Sequence, residues 1–208
     1  MACRRPTTKK REDSIMYNKG PKTFQLGTGG GVLSRLVKLA AGLAVLNTAA
    51  ASDEPIGAIV GMDGTGEEGD YAAIQFLKDE GTLELEAAAA VGLNADVFAA
   101  DEGKIQPLPA DPADVGAWQS ETAYSLGDIA VPTSDNGHYY KCTVAGTTAA
   151  SEPTWPEDGS TVSDGTAEWT DMGSNVFHKI GKSLQAASAA GSIIEVLPYD
   201  FHKQVTLE

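Results

Sequence analysis

All three tryptophans of this chain fall between Trp118 and Trp169, together with Tyr124, Tyr139 and Tyr140. Elsewhere the sequence is sparse in aromatics and rich in Ala and Gly. A block of this kind, punctuated by Gly, Asp and Pro, makes its own small core. Each large ring covers roughly 150–250 Å² when buried, so a few of them supply most of what such a module can hide. The block also interrupts another pattern. GAIVGM (57–62) before it and KIGKSLQAASAAGSIIEVLP (179–198) after it have the character of one β domain. The expected organisation is a flexible basic arm (1–26), a discontinuous β body (27–109 and 174–208) and an inserted β module (110–173). A chain of 208 residues is long enough for two such cores.

Short apolar runs separated by turn chemistry fill the body. They are Val32 to Leu39, Leu43 to Leu46, Ile56 to Met62, Tyr71 to Leu77, Leu83 to Glu86, Asp96 to Ala99 and Lys104 to Gln106. SDEP, DGTGEEGD, KDEG and DEG separate them, as Asp and Gly do in turns. This spacing predicts an all-β, mainly antiparallel barrel or sandwich. GTGGG (27–31) reads as a flexible joint. EAAAAVGLNA (86–95) suggests a helical turn or two from its alanines, limited by Gly92. Pro107, Pro109 and Pro112 make a stiff exit into the module. After the module, Val176 to Leu184 reads as a strand, Gln185 to Gly191 as a turn or short helix, and Ser192 to Leu197 as a last strand ended by Pro198.

Charge is divided unevenly. Residues 1–38 hold nine Lys and Arg against Glu12 and Asp13, whereas the remaining 170 residues hold six basic and 27 acidic side chains. A body this acidic argues against nucleic-acid binding by its folded part, since phosphate contact needs Lys and Arg. The basic arm points to a different partner from the body. Cys3 and Cys142, the only cysteines, lie too differently in the pattern to suggest a bridge, which fits folding in a reducing cytosol. No apolar run of about 18 residues predicts a membrane span. Leu36 to Ser52 has two readings. It follows basic residues and ends in small ones, as a secretory signal does. It also reads as two strands around a turn at Ala41-Gly42.

Within the module, His138 to Val144 alternates. Tyr140, Cys142 and Val144 share one face, and Tyr139, Lys141 and Thr143 the other. Tyr140 is therefore expected in the core and Tyr139 on the surface. Trp118, Tyr124 and Trp169 are expected to close the core. Trp155, between Pro153 and Pro156, either stands exposed to stack on a sugar or folds back as a cap.

Two resemblances follow from these motifs. Pro55 to Ala58, the Asp101-Glu102-Gly103-Lys104-Ile105 hairpin and the Ile180 to Val196 segment resemble the small capsid-associated proteins of tailed phages, including head decoration proteins. That resemblance covers residues 30–109 and 176–208. It implies a homotrimeric virion protein, made in the host cytoplasm, that binds the major capsid protein on the outer shell and stabilises it. In that role Tyr17, Phe24 and Leu26 are the apolar anchors of an arm that adds a strand to a capsid sheet edge. The module, with Trp118, Tyr124, Gly127-Asp128, Tyr140-x-Cys142 and Trp169, resembles the small carbohydrate-binding modules of chitinases and cellulases. This implies contact with a cell-surface glycan, for which Trp155, Tyr139, Trp118 and Trp169 are the candidates. Many copies would turn weak sites into avidity. A secreted or tail-associated polysaccharide-binding adhesin is the alternative.

No enzyme is expected. His138, His178 and His202 fall in no metal or triad signature. Asp128, Asp135, Glu152, Asp158, Asp164, Glu168 and Asp171 supply enough carboxylates for a glycosidase pair, but their turn contexts suggest backbone bonding instead. GTGGG lacks the Lys and hydroxyl of a phosphate loop, so no nucleotide or other cofactor is implied.

Overall fold

The computed structural model describes residues 20–208, save the side chains of 200–202, and it is all-β. The first body sheet contains β1 (Lys22–Gln25), β2 (Leu36–Ala40), β3 (Leu43–Leu46), β4 (Gly57–Asp63) and β5 (Tyr71–Phe76). Its order is β1-β5-β4-β2-β3, antiparallel throughout. β2 and β3 form a two-residue hairpin, with Ala41 and Gly42 at φ 49° and 84°. Such positive angles match the right-handed twist of the flanking strands. The stretch from Leu36 to Ser52 is thus a core hairpin and the loop after it, with Leu36 and Val37 fully buried.

The sheet curls so far that Leu26, just past β1, bridges to Ala44 of β3 and meets the opposite edge at one point. Leu26 is 1% exposed and packs with Val37, Ala44, Ile59, Ala72 and Ile74. This corrects the arm expectation. Residues 22–25 pair with β5 of their own chain, and Leu26 is core rather than a free capsid anchor. Phe24 is half-buried and meets Phe76 edge-on at 6.0 Å. Tyr17 lies outside the described residues. Nor is GTGGG a loose joint. A Cβ on Gly30 would stand 2.1 Å from the Gly66 carbonyl oxygen, and one on Gly31 would stand 2.7 Å from Ile59 Cδ1. Glycine is needed there for close approach.

The second body sheet takes β6 (Leu83–Glu86), β7 (Asp96–Ala99) and β8 (Ile105–Gln106) from before the insert. The insert then supplies β9 (Gly116–Ala117), β10 (Ala123–Tyr124), β11 (Ile129–Val131), β12 (His138–Val144), β13 (Gly146–Thr147), β14 (Thr161–Asp164) and β15 (Ala167–Ser174). β16 (Val176–Ser183) and β17 (Ile193–Thr206) return to the body, giving the order β6-β17-β16-β7-β8. Leu36, Ala58 and Leu77 of the first sheet region pack with Leu85, Val97, Ile180, Ile194 and Val196 of the second. The architecture is a packed pair of mainly antiparallel sheets, and neither closes into a barrel. The insert has its own five-stranded sheet, β14-β15-β12-β11-β9, in which only β9 and β11 run parallel.

Two local expectations are overturned. Residues 86–95 form no helix. Ala87 and Val91 instead bridge to Ile105 and Ala187, where burial outweighs alanine's helix preference. The last strand runs through Pro198. β6 pairs with β17 only over Ile193 to Val196, so beyond that point β17 has an open edge, where a missing N–H is tolerated. The correction at Leu26 is directly testable. Leu26→Ala should destabilise the protein by about 3 kcal/mol in denaturant unfolding, as deletion of a buried side chain does. An arm residue would leave stability unchanged.

Candidate functional site

Asp164 organises the interior of the insert. Its carboxylate is 2% exposed, and Oδ2 accepts the indole N–H of Trp118 at 2.7 Å and of Trp169 at 3.2 Å. Oδ1 accepts the Ala149 N–H at 2.8 Å. Three donors on one buried carboxylate tie the entry strand, the last strand and the connecting loop together. Trp169 is fully buried and Trp118 is 7% exposed, so both are core residues whose faces no sugar can reach. Their place in the carbohydrate set is thereby corrected. The sequence offered Asp164 only as one carboxylate among several in turn contexts. Its burial follows from sitting at the end of β14, beside two indoles.

The Trp155 alternative resolves toward the cap. Its ring lies 4.3 Å from Tyr140 and 6.0 Å from Trp169, and its N–H donates to Glu152 at 2.8 Å. The Tyr140 hydroxyl donates to the Pro156 carbonyl at 2.7 Å and so holds the Pro-Trp-Pro turn down. Trp155 remains half-buried. Glu152 also accepts from the Thr133 hydroxyl and N–H. Burial raises the Glu152 carboxyl, but these donors outweigh it and leave it below the ordinary glutamate value.

Tyr139 departs most from expectation. The alternation along β12 holds as far as Thr143 and then breaks at a register shift that leaves Val144 exposed, and the second face is covered at Tyr139. Tyr139 is 8% exposed and lies 5.8 Å from Phe177 of the body, which meets Phe98 edge-on at 6.3 Å. Val131 and Val115 join them from the insert side, and Leu207 from the body side. Burial, aided by the nearby Asp171 charge, pushes the Tyr139 phenol up to about 12. A single sequence does not reveal that this face meets another domain.

Beside that junction lies a cleft of about 670 Å³ between the body loop 48–52 and the insert segments 136–139 and 172–174. His138 lines it, and Asp171 Oδ1 accepts the ring Nδ1–H at 2.8 Å. The Asp171 side chain is 1% exposed. Burial raises its carboxyl, while the Gly173 N–H, the His138 ring and the Gly159 N–H together pull it below the ordinary aspartate value. The opposite wall is also held. His178 donates Nε2–H to the Ala51 carbonyl at 2.9 Å, Thr48 bonds Asp53 at 2.6 Å, and the Ala49 N–H donates to Asp101 at 2.8 Å. Two histidines that look scattered in sequence thus serve the two walls of one cleft. A second, smaller cleft of about 500 Å³ runs past Gln119, Tyr124 and Asp128.

Among the remaining carboxylates, Asp128, Asp135 and Asp158 bond backbone N–H groups of their own turns. The described residues hold no cluster of three His, Cys, Asp or Glu suited to a metal, and no helix long and apolar enough to cross a membrane. Comparison with known protein families, curated proteins and solved structures finds no match to this chain. Asp164→Ala should leave both indoles and the Ala149 N–H without their acceptor. We expect a loss of about 3 kcal/mol, read by tryptophan fluorescence in denaturant. An unchanged midpoint would contradict the central role of this carboxylate.

Proposed function

We propose that this chain is a head decoration protein of a tailed phage. In this reading the β body binds the major capsid protein on the outer shell, as a homotrimer, and the insert faces outward as an adhesive surface. The observation that carries the proposal is a patch of exposed apolar side chains, interrupted by charge, at the end of the body opposite the insert. The start of β16 meets the insert through Phe177, whereas β17 begins at the far end of the same sheet. There Ile193 and Leu197 project from one face of β17 at 56% and 47% exposure, with Leu184 nearby at 41%, and Glu195, bonded by the Thr82 hydroxyl at 2.6 Å, lies between them on the same face. Apolar side chains gathered this way suit burial against a partner.

Two further features support the proposal. Of the segments that resemble decoration proteins, Pro55 to Ala58 leads into β4 and Ile180 to Val196 spans parts of β16 and β17, all inner strands of the body sheets, while Asp101 to Ile105 forms the turn into the edge strand β8. A secreted product cut after Ala51 would lose β2 and β3, and with them the buried Leu36, Val37 and Ala44. The adhesin alternative therefore has to retain this hairpin.

The test is co-sedimentation with expanded, empty heads of the cognate phage. The native chain should bind saturably. The double variant Ile193→Glu with Leu197→Glu should stay in the supernatant while keeping its thermal midpoint, because both side chains already face solvent. Failure of the native chain to bind would remove the decoration role. Undiminished binding of the variant would remove the patch as the contact.

A further inference from the structure

We infer that the cleft between loop 48–52 and the β12–β15 end of the insert is a binding site for a neutral saccharide, with His138 at its centre. The inference deepens the adhesive part of the proposed function and does not depend on attachment to a capsid. It also moves the ligand away from the tryptophans, two of which are buried and the third of which caps the core.

The chemistry of the walls selects the ligand class. No Lys or Arg lines the cleft, so a phosphate, sulfate or carboxylate would find no cation to pair with. Its one carboxylate, Asp101, is already engaged by the Ala49 N–H. What the walls offer is neutral: the Gln106 amide and the Ser52 hydroxyl, beside the Asn136 amide, which already bonds the Tyr140 hydroxyl and the His138 N–H, and the Ser174 hydroxyl, which already bonds Val176. Amides and hydroxyls both donate and accept, as sugar hydroxyls do. Met172, 45% exposed, adds a thioether for the C–H face of a ring, and its adaptable side chain suits an irregular apolar surface. The volume falls in the range of small-molecule sites, roughly 300–1,000 Å³.

His138 gives the site a direction. Because Asp171 Oδ1 accepts the Nδ1–H, Nε2 is the ring nitrogen left for a ligand, and the ring cannot turn without breaking a bond to a buried carboxylate. The side chain is 24% exposed, open enough to meet a ligand. Loop 48–52 is fixed from behind by His178, Asp53 and Asp101, so the opposite wall needs no ordering on binding. Preformed walls lower the entropic cost of a weak ligand. The Tyr139–Phe177 contact sets the spacing between the walls, since both rings line the cleft floor.

The experiment uses the free full-length protein, without phage heads, so its outcome is independent of the decoration role. Chitotriose, cellotriose and maltotriose are titrated separately while the His138 ring and Met172 methyl signals are followed by NMR. At least one probe should shift both signals saturably. His138→Ala should weaken that binding about tenfold, the value of one good hydrogen bond. Ala50→Arg, which fills the cleft from an exposed position and leaves the backbone bonds of its loop in place, should weaken it at least as much. Three results overturn the inference: no shift with any probe, binding that both variants retain, or binding that Trp155→Ala abolishes and Ala50→Arg leaves intact.

Discussion

The tilted contact of Tyr139 with Phe177, and the edge-on contact of Phe177 with Phe98, form the constraint on which the arrangement of the molecule depends. Inserts between two strands of a host sheet are commonly joined by flexible linkers. Here the linker residues Leu108, Ala110 and Val115 are themselves drawn into the aromatic cluster. The insert is seated on the body and held there by apolar burial, which is non-directional but strong in aggregate. The cleft follows from this seating. Its two walls belong to different parts of the chain, and the aromatic cluster, together with Asn175 bonded to Gly137, Asp135 and Leu207, fixes the distance between them.

A second constraint acts within each part. In the body, Leu26 brings the ends of a curled sheet together, and the loop after it leaves no room for a side chain at Gly30 or Gly31. In the insert, Asp164 gathers two indoles and a backbone N–H around one buried charge. Each device makes a small core hold its shape where apolar area alone is modest. Their residues are also the ones that a functional reading of the sequence would most readily misassign. An apolar residue near a basic terminus suggests an anchor, and a tryptophan in a carbohydrate-binding-like pattern suggests a ligand platform.

What the sequence made legible was local. The Ala41-Gly42 turn, and the strands at Leu43–Leu46, Leu83–Glu86 and Asp96–Ala99, lie where turn chemistry and apolar runs place them. The Tyr140 and Trp169 core is readable from alternation and ring size. What was not legible depends on partners distant in the chain. Tyr139 shows only that β12 has a second face, and Phe177, which covers it, lies 38 positions away. The alanines at 88–90 favour helix until Ile105 and Ala187 claim their neighbours for bridges. His138 and Asp171 gave no motif, because a pairing across adjacent strands leaves no fixed spacing in sequence.

The central claim is that insert and body are one mechanical unit, and tryptophan makes it directly measurable. All three indoles lie in the insert, so their fluorescence reports its unfolding alone, whereas circular dichroism also follows the strands of the body. In equilibrium denaturant unfolding of the native chain, the two signals should share one midpoint, and Tyr139→Ala should separate them. Two well-separated transitions in the native chain would contradict the account, because the insert would then fold without regard to the surface on which it is seated.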